Sequence, residues 1–188
     1  MSISFEQILL PLSINHSDMK RVAAYFQTIE IKKNDYFLEQ GQICRRVGFV
    51  ESGLMMYYKV DEGGNQMVCD FAQENNWVTQ YESFKNQTAS PLSIKSLESS
   101  TLKVLSFDQM ETLNEEFPSF KIYTRSIVEE EFFKSISRTE NLQFLSAEQR
   151  YEQMRSENPT LVNRVPQYYI ANYLGIAPQS LSRIRKNN

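Results

Sequence analysis

Short apolar–polar alternations fill the sequence from about residue 30 to residue 105, and at Ser106 the period changes from two to three and four. Period two belongs to strands with one buried face, and a period near 3.6 to helices. Turn residues interrupt the alternating part at a spacing of roughly 8–12 positions. They are Gly41, Gly53 and the cluster Asp61-Glu62-Gly63-Gly64-Asn65. The Gly-Gly cluster separates Leu54–Val60 from Gln66–Phe71 and predicts a hairpin. Leu92–Leu97 and Leu102–Phe107 alternate as well. The sum is an all-β unit of about eight short strands, a roll or small barrel.

Helical spacing flanks this unit. Met19, Val22, Ala23 and Phe26 share one face of a helix expected over residues 4–28. Ser106 and Gln109 fit a capping box for a helix to about Glu115, and Pro118 suits the first turn of another. From Ser119 to Leu142 no Gly or Pro intervenes, which allows some 36 Å of helix at about 1.5 Å per residue. Phe120, Tyr123, Ile127, Val128, Phe132 and Ile136 step along it in threes to fives. Such a stripe either packs on the β unit or forms the seam of a dimer. Ser146 and Gln149 make a second capping box, opening a helix to about Ser156 that Asn158-Pro159 breaks. The fold class is α+β in three segments: a roll over 1–118, a long helix and hinge over 119–145, and a helical domain over 146–188.

The rare residues narrow the chemistry. The one histidine, His16, stands in a polar stretch and reads as a surface or helix-start residue. Two cysteines, Cys44 and Cys69, are too few for an all-cysteine zinc site or a four-cysteine iron–sulfur cluster. They read as two buried or half-buried thiols. There is no glycine-rich phosphate loop and no nucleophile elbow. No metal, no cofactor and no enzymatic activity are expected. A cupin-like enzyme would need several histidine and carboxylate ligands. No run of 18 apolar residues is present, so no membrane segment is expected. The N-terminus has no basic, apolar leader pattern. A cytoplasmic location is the resulting expectation.

The stretch Pro166-Gln-Tyr-Tyr-Ile-Ala-Asn-Tyr-Leu-Gly-Ile-Ala-Pro-Gln-Ser-Leu-Ser-Arg-Ile-Arg-Lys186 carries the sharpest signal. Two short helices that cross steeply need a small residue at the crossing, and Ala171 supplies it. The turn needs positive φ, and Gly175 supplies it. Ile170, Leu174, Ile176, Leu181 and Ile184 give both helices an apolar face. The expected motif is a helix-turn-helix that enters the major groove of double-stranded DNA. Gln179, Ser180, Ser182 and Arg183 are then the base-reading candidates, since glutamine can read adenine and arginine guanine with paired hydrogen bonds. Arg164, Arg185 and Lys186 are placed for phosphates. Ala177, at the expected N-cap, has no side-chain oxygen for the first amides.

Roll, long helix and helix-turn-helix follow one another as in the bacterial CRP/FNR family of transcription regulators. Ile170–Arg185 resembles that family's DNA-binding segment. Leu38-Glu-Gln-Gly41 and Phe49-Val-Glu-Ser-Gly53-Leu-Met resemble its roll. The resemblance implies a homodimer on a roughly palindromic site, RNA polymerase as a further partner, and a small-molecule effector in the roll. Its cyclic AMP-binding members use a Gly-Glu pair for the ribose and an Arg-Ser or Arg-Thr pair for the cyclic phosphate. Here Thr79-Gln80 and Ser90-Pro91 stand at those places, and no arginine lies between Val47 and Ile122. Cyclic nucleotides are therefore not expected to bind, and the effector is another molecule or none. The cluster- and haem-binding branches need ligands that this sequence lacks. Pocket candidates are Phe71, Trp77, Tyr81, Glu82, Ser83, Phe84 and Ser90; the aromatics read as core, and Tyr81, Glu82, Ser83 and Ser90 as polar contacts. The sequence stops two residues after Lys186, so the β-wing that follows the recognition helix in many members is not expected. The alternative is a ligand-sensing or protein-interaction module with a vestigial helix-turn-helix.

The net charge of −3 looks unsuited to DNA, but it is unevenly spread. Residues 160–188 hold Arg164, Arg183, Arg185 and Lys186 and no acid, a charge of +4, which leaves −7 on residues 1–159. Phosphate contact depends on the local patch, not on the average.

Overall fold

The computed structural model describes residues 5–12 and 14–187. Two compact units divide inside one helix, the first ending at Ser126 and the second beginning at Ile127.

The first unit is an eight-stranded roll of two four-stranded sheets. Strands β1 (Gln27–Ile31), β8 (Ser100–Ser106), β3 (Arg46–Ser52) and β6 (Trp77–Val78) form one sheet in the order β1-β8-β3-β6. Strands β2 (Tyr36–Leu38), β7 (Ser93–Ser96), β4 (Met55–Val60) and β5 (Gln66–Ala72) form the other in the order β2-β7-β4-β5. Every pairing is antiparallel. The expected hairpin is β4–β5, turning at Asp61–Asn65, where Gly64 has φ 81°. The alternation seen in sequence becomes two inner faces, and Phe37, Phe49, Val50, Met55, Val78, Ile94, Leu102 and Leu105 from both sheets form one core. Gly53 has φ 111°, and a Cβ there would lie 2.6 Å from the Ser100 Cα, so this turn admits glycine alone.

The N-terminal helix expected over 4–28 is three pieces: α1 (Phe5–Ile8), a 3₁₀ turn (Leu10–Leu12) and α2 (His16–Ala24). Pro11 interrupts the helix, and Asn15 restarts it by accepting the Asp18 N–H on its side chain. The apolar face holds: Val22 and Phe26 are buried, and Met19 and Ala23 pack against the core. Phe26 lies past the helix end, where its ring meets Phe5 at 4.6 Å and Phe120 at 6.5 Å.

Both capping boxes form. Ser106 and Gln109 open α4 (Phe107–Glu116), and Ser146 and Gln149 open α6 (Ala147–Glu157). Between them α5 runs from Pro118 to Phe144. The second unit holds the later part of α5, then α6, α7 (Leu161–Arg164), α8 (Gln167–Tyr173) and α9 (Pro178–Asn187). Its interior is Tyr151, Met154, Leu161, Val162, Val165, Ile170, Ala171, Leu174 and Leu181.

Candidate nucleic-acid interface

The α8–α9 pair is built as its spacing requires. Ala171 and Ile170 are fully buried in α8, and Leu181 is fully buried in α9. Gly175 has φ 69°. Its N–H donates to the Asn172 carbonyl at 3.0 Å, and the Ile176 N–H reaches the Ala171 carbonyl at 3.0 Å. This pair of bonds is a Schellman cap, which ends α8 and turns the chain toward α9. α9 starts on Pro178 without a side-chain cap, and the Ala177 carbonyl accepts from the Ser180 N–H at 2.9 Å.

With Leu181 facing inward, α9 presents one free face. At about 100° per residue, Gln179, Arg183 and Lys186 lie opposite Leu181 and Ser182 lies at the edge of that face, and all four are exposed. Ser180 and Arg185 are half-buried on the flanks. The free face thus differs from the sequence expectation in two places: Lys186 joins it, and Ser180 leaves it. The Ser182 hydroxyl donates to the Pro178 carbonyl at 3.0 Å, leaving its lone pairs for an outside donor. Arg164 closes α7, half-buried.

Two contacts that frame this pair have no signature in the sequence. Arg150 of α6 donates from Nη1 to the Leu145 carbonyl at 2.6 Å and from Nη2 to the Leu174 carbonyl at 2.7 Å. One guanidinium thereby ties the end of α5 to the end of α8. The Arg138 guanidinium stacks over the Tyr173 ring at 4.2 Å. Main-chain carbonyls accept from any donor that reaches them, so no residue pattern announces the Arg150 bridge.

Along α5 the expected seam separates into two faces. Phe120 is 1% exposed within the roll core, and the Tyr123 hydroxyl donates to the Ile8 carbonyl at 2.8 Å. These two residues belong to the interior of the first unit and are corrected out of the seam. Ile127, half-buried, falls on their side of the helix. Val128, Phe132 and Ile136 continue instead onto a face that also carries Ile122, Phe133 and Phe144, an arc of roughly 160°. Ile122, Phe132, Phe133 and Phe144 are each more than half exposed. A stripe drifting in steps of three to five crosses from one face of a 3.6-residue helix to another, and sequence spacing alone does not show where it crosses.

In the roll, the four polar pocket candidates do not converge. Tyr81 and Glu82 are exposed in the first turn of α3 (Tyr81–Asn86). Ser83 is buried, and its hydroxyl accepts from the Cys44 N–H at 2.9 Å and donates to the Thr88 carbonyl. Ser90 is buried, donating to the Leu92 carbonyl at 2.7 Å. Both serines hold their own loops and are corrected out of the ligand set. The Gln80 side chain caps α3 by accepting the Ser83 N–H at 2.6 Å. The Thr79 hydroxyl donates to the Arg46 carbonyl at 3.3 Å. Phe84 is buried, Trp77 packs on the core, and Phe71 is half-buried. Cys44 is buried and Cys69 half-buried, both as free thiols. His16 is exposed at the start of α2.

Among the described residues, no group of three His, Cys, Asp or Glu is arranged to hold a metal. Among them, too, no helix is long and apolar enough to cross a membrane.

Residues 28–116 match the sequence model of the cyclic nucleotide-binding domain. The roll is thus similar in sequence to cyclic nucleotide-binding domains. No curated protein matches the chain's sequence at a significant level. Similarity to solved structures extends past this domain to the whole CRP/FNR architecture. The c-di-GMP responsive global regulator CLP of Xanthomonas campestris superposes with a TM-score of 0.73 at 12% identity, covering 92% of this chain and 91% of that one. FixK2 from Bradyrhizobium japonicum gives a TM-score of 0.74 at 12% identity, over 86% and 83%. The Thermus thermophilus catabolite activator protein gives 0.60 at 15% identity, over 94% and 85%. The roll and the helices beyond it therefore share the fold of CRP/FNR transcription regulators, as the motif order predicts.

Proposed function

We propose that this chain is a homodimeric, sequence-specific DNA-binding transcription regulator of the CRP/FNR type. The observation that carries the proposal is the free face of α9, where Gln179, Ser182, Arg183 and Lys186 stand exposed on a helix anchored by the buried Leu181. A short helix held this way can enter the major groove, with Gln179 and Arg183 on base edges. Arg164, Arg185 and Lys186 meet phosphates, in a segment without acids to repel them. The relatives in structure include proteins named as a global regulator and a catabolite activator, which supports the assignment. The exposed arc of α5, with Val128, Phe132 and Ile136, is the dimer seam. Large apolar side chains in such a row are a partner surface.

The effector is a molecule other than cyclic AMP, or none. Thr79, Gln80 and Ser90, which stand where the resemblance puts the nucleotide contacts, are engaged in hydrogen bonds within the roll, Thr79 to the Arg46 carbonyl and Gln80 and Ser90 to their own loops. An effector that prefers one arrangement of the DNA-binding units would shift their population.

A gel shift with DNA from upstream of the protein's own gene tests the reading. Arg183→Ala should abolish specific binding, while Lys186→Ala should weaken all sequences together and flatten the salt dependence. If no promoter DNA shifts at low salt, the sensing module with a vestigial helix-turn-helix takes its place. Light scattering of a Phe132→Asp/Ile136→Asp variant should give the monomer mass, and an unchanged dimer mass refutes the seam. Calorimetric titration with cyclic AMP should show no heat; micromolar binding would overturn the effector assignment.

A further inference from the structure

A concave site in the roll lies beside the loop positions discussed above. A cavity of about 520 Å³ is lined by Phe37, Gln42, Ile43, Cys44, Arg45 and Arg46. Arg46 is half-buried, with its guanidinium over the Phe37 ring at 4.8 Å. Of its five N–H donors, one reaches the Phe37 carbonyl at 3.4 Å. Among the described residues no carboxylate pairs with Arg45 or Arg46. Taking a guanidinium out of water without a counter-charge is costly. Burial lowers the Arg46 pKa, and the neighbouring Cys44 thiol offsets part of that.

We propose that this cavity binds a small phosphate monoester, with Arg45 and Arg46 on its phosphate group. Arg45 and Arg46 both line the cavity, guanidinium forks match the oxygens of a phosphate, and the phosphate supplies the counter-charge that Arg46 lacks. The cavity exceeds what inorganic phosphate fills, and Phe37 and Ile43 offer apolar wall for an organic body. The site is also wired to the rest of the roll. The Cys44 N–H donates to the Ser83 hydroxyl in α3 at 2.9 Å, and the Arg46 carbonyl accepts from Thr79 at 3.3 Å. A ligand that fixes residues 44–46 therefore also fixes the β6–α3 connection. This inference does not rest on DNA binding and stands or falls by itself.

The test is a titration of the full chain followed by amide ¹⁵N shifts, at constant ionic strength, with inorganic phosphate, glycerol 3-phosphate and citrate. Glycerol 3-phosphate should shift the Cys44, Arg45 and Arg46 amides and saturate, binding severalfold more tightly than inorganic phosphate. Arg46→Gln should weaken it by about tenfold or more, the loss expected for charged hydrogen bonds. If Arg46→Gln does not fold, Arg45→Gln, an exposed position, decides by the same criterion. Shifts scattered over the basic surface, equal affinity in the variant, citrate binding as tightly as the ester, or inorganic phosphate binding as tightly as the ester would each overturn the proposal.

Discussion

In the roll, the buried serines are hydrogen-bonded to one another or to main chain. Ser96 and Ser100 share a hydrogen bond of 2.7 Å, Ser93 accepts the Gln40 N–H at 2.9 Å, and Ser83 and Ser90 hold neighbouring main chain. The unit beyond Ile127 is the reverse. Its core is small, and what sets it apart stands outside: Phe132, Phe133 and Phe144 on α5, and Gln179, Arg183 and Lys186 on α9. The roll carries its information in its interior, where Gly53 and the serines fix loops at close quarters. The helical unit leaves two surfaces exposed, an apolar one on α5 and a polar, basic one on α9. A change inside the roll should therefore cost folding, while a change on the helical unit should cost binding unless it reaches Leu181.

The single tryptophan, Trp77, sits in the roll with its ring 5.3 Å from Phe49, so its fluorescence reports that unit alone. The largest effect is expected for Gly53→Ala, which forces a Cβ against the Ser100 backbone at positive φ. It should destabilise the roll by at least about 3 kcal/mol in denaturant titrations followed at Trp77. Leu181→Ala should cost about 3 kcal/mol in the helical unit and remove DNA binding, with the Trp77 transition unmoved. A Trp77 midpoint that shifts equally would break the comparison, since the two units would then unfold as one. Arg150→Met loses two bonds to main-chain carbonyls and should cost about 2 kcal/mol in the helical circular-dichroism transition. Gly175→Ala places a Cβ at φ 69° with open space around it. Its cost is then conformational, about 1 kcal/mol, and DNA binding should survive.

The smallest effect concerns pH. The Asp61 carboxyl accepts the Asn65 N–H at 2.8 Å, and this bond holds its pKa below the ordinary carboxylate value. Its contribution to the β4–β5 turn is present above the unfolded Asp value and is lost as pH falls through the lowered folded value. The Asn65 amide shift should follow that titration, and Asp61→Asn should abolish it.

Much of this was legible along the chain because the signals are local. Capping boxes at Ser106 and Ser146, the Gly-Gly hairpin and the positive φ of Gly175 each depend on residues within a few positions of one another. The N-terminal helix is shorter than its apolar face suggests because Pro11 interrupts it, and Phe26 is buried from the turn that follows α2. Ser83 and Ser90 show a related effect: a serine that binds a ligand and one that binds its own loop look alike in sequence.

By itself, then, the sequence determined the roll, the helical segment after it and the two-helix turn with its basic, acid-free tail. Those follow from periodicity, caps and turn chemistry, which act over a few residues. The tertiary structure decided which side of α5 is free, which of the α9 residues face outward, and that Arg150 bridges Leu145 to Leu174. It also set Arg45 and Arg46 beside a cavity with no acid paired to them. Such facts depend on which surfaces meet across the fold, and burial and main-chain acceptors leave no residue pattern to read.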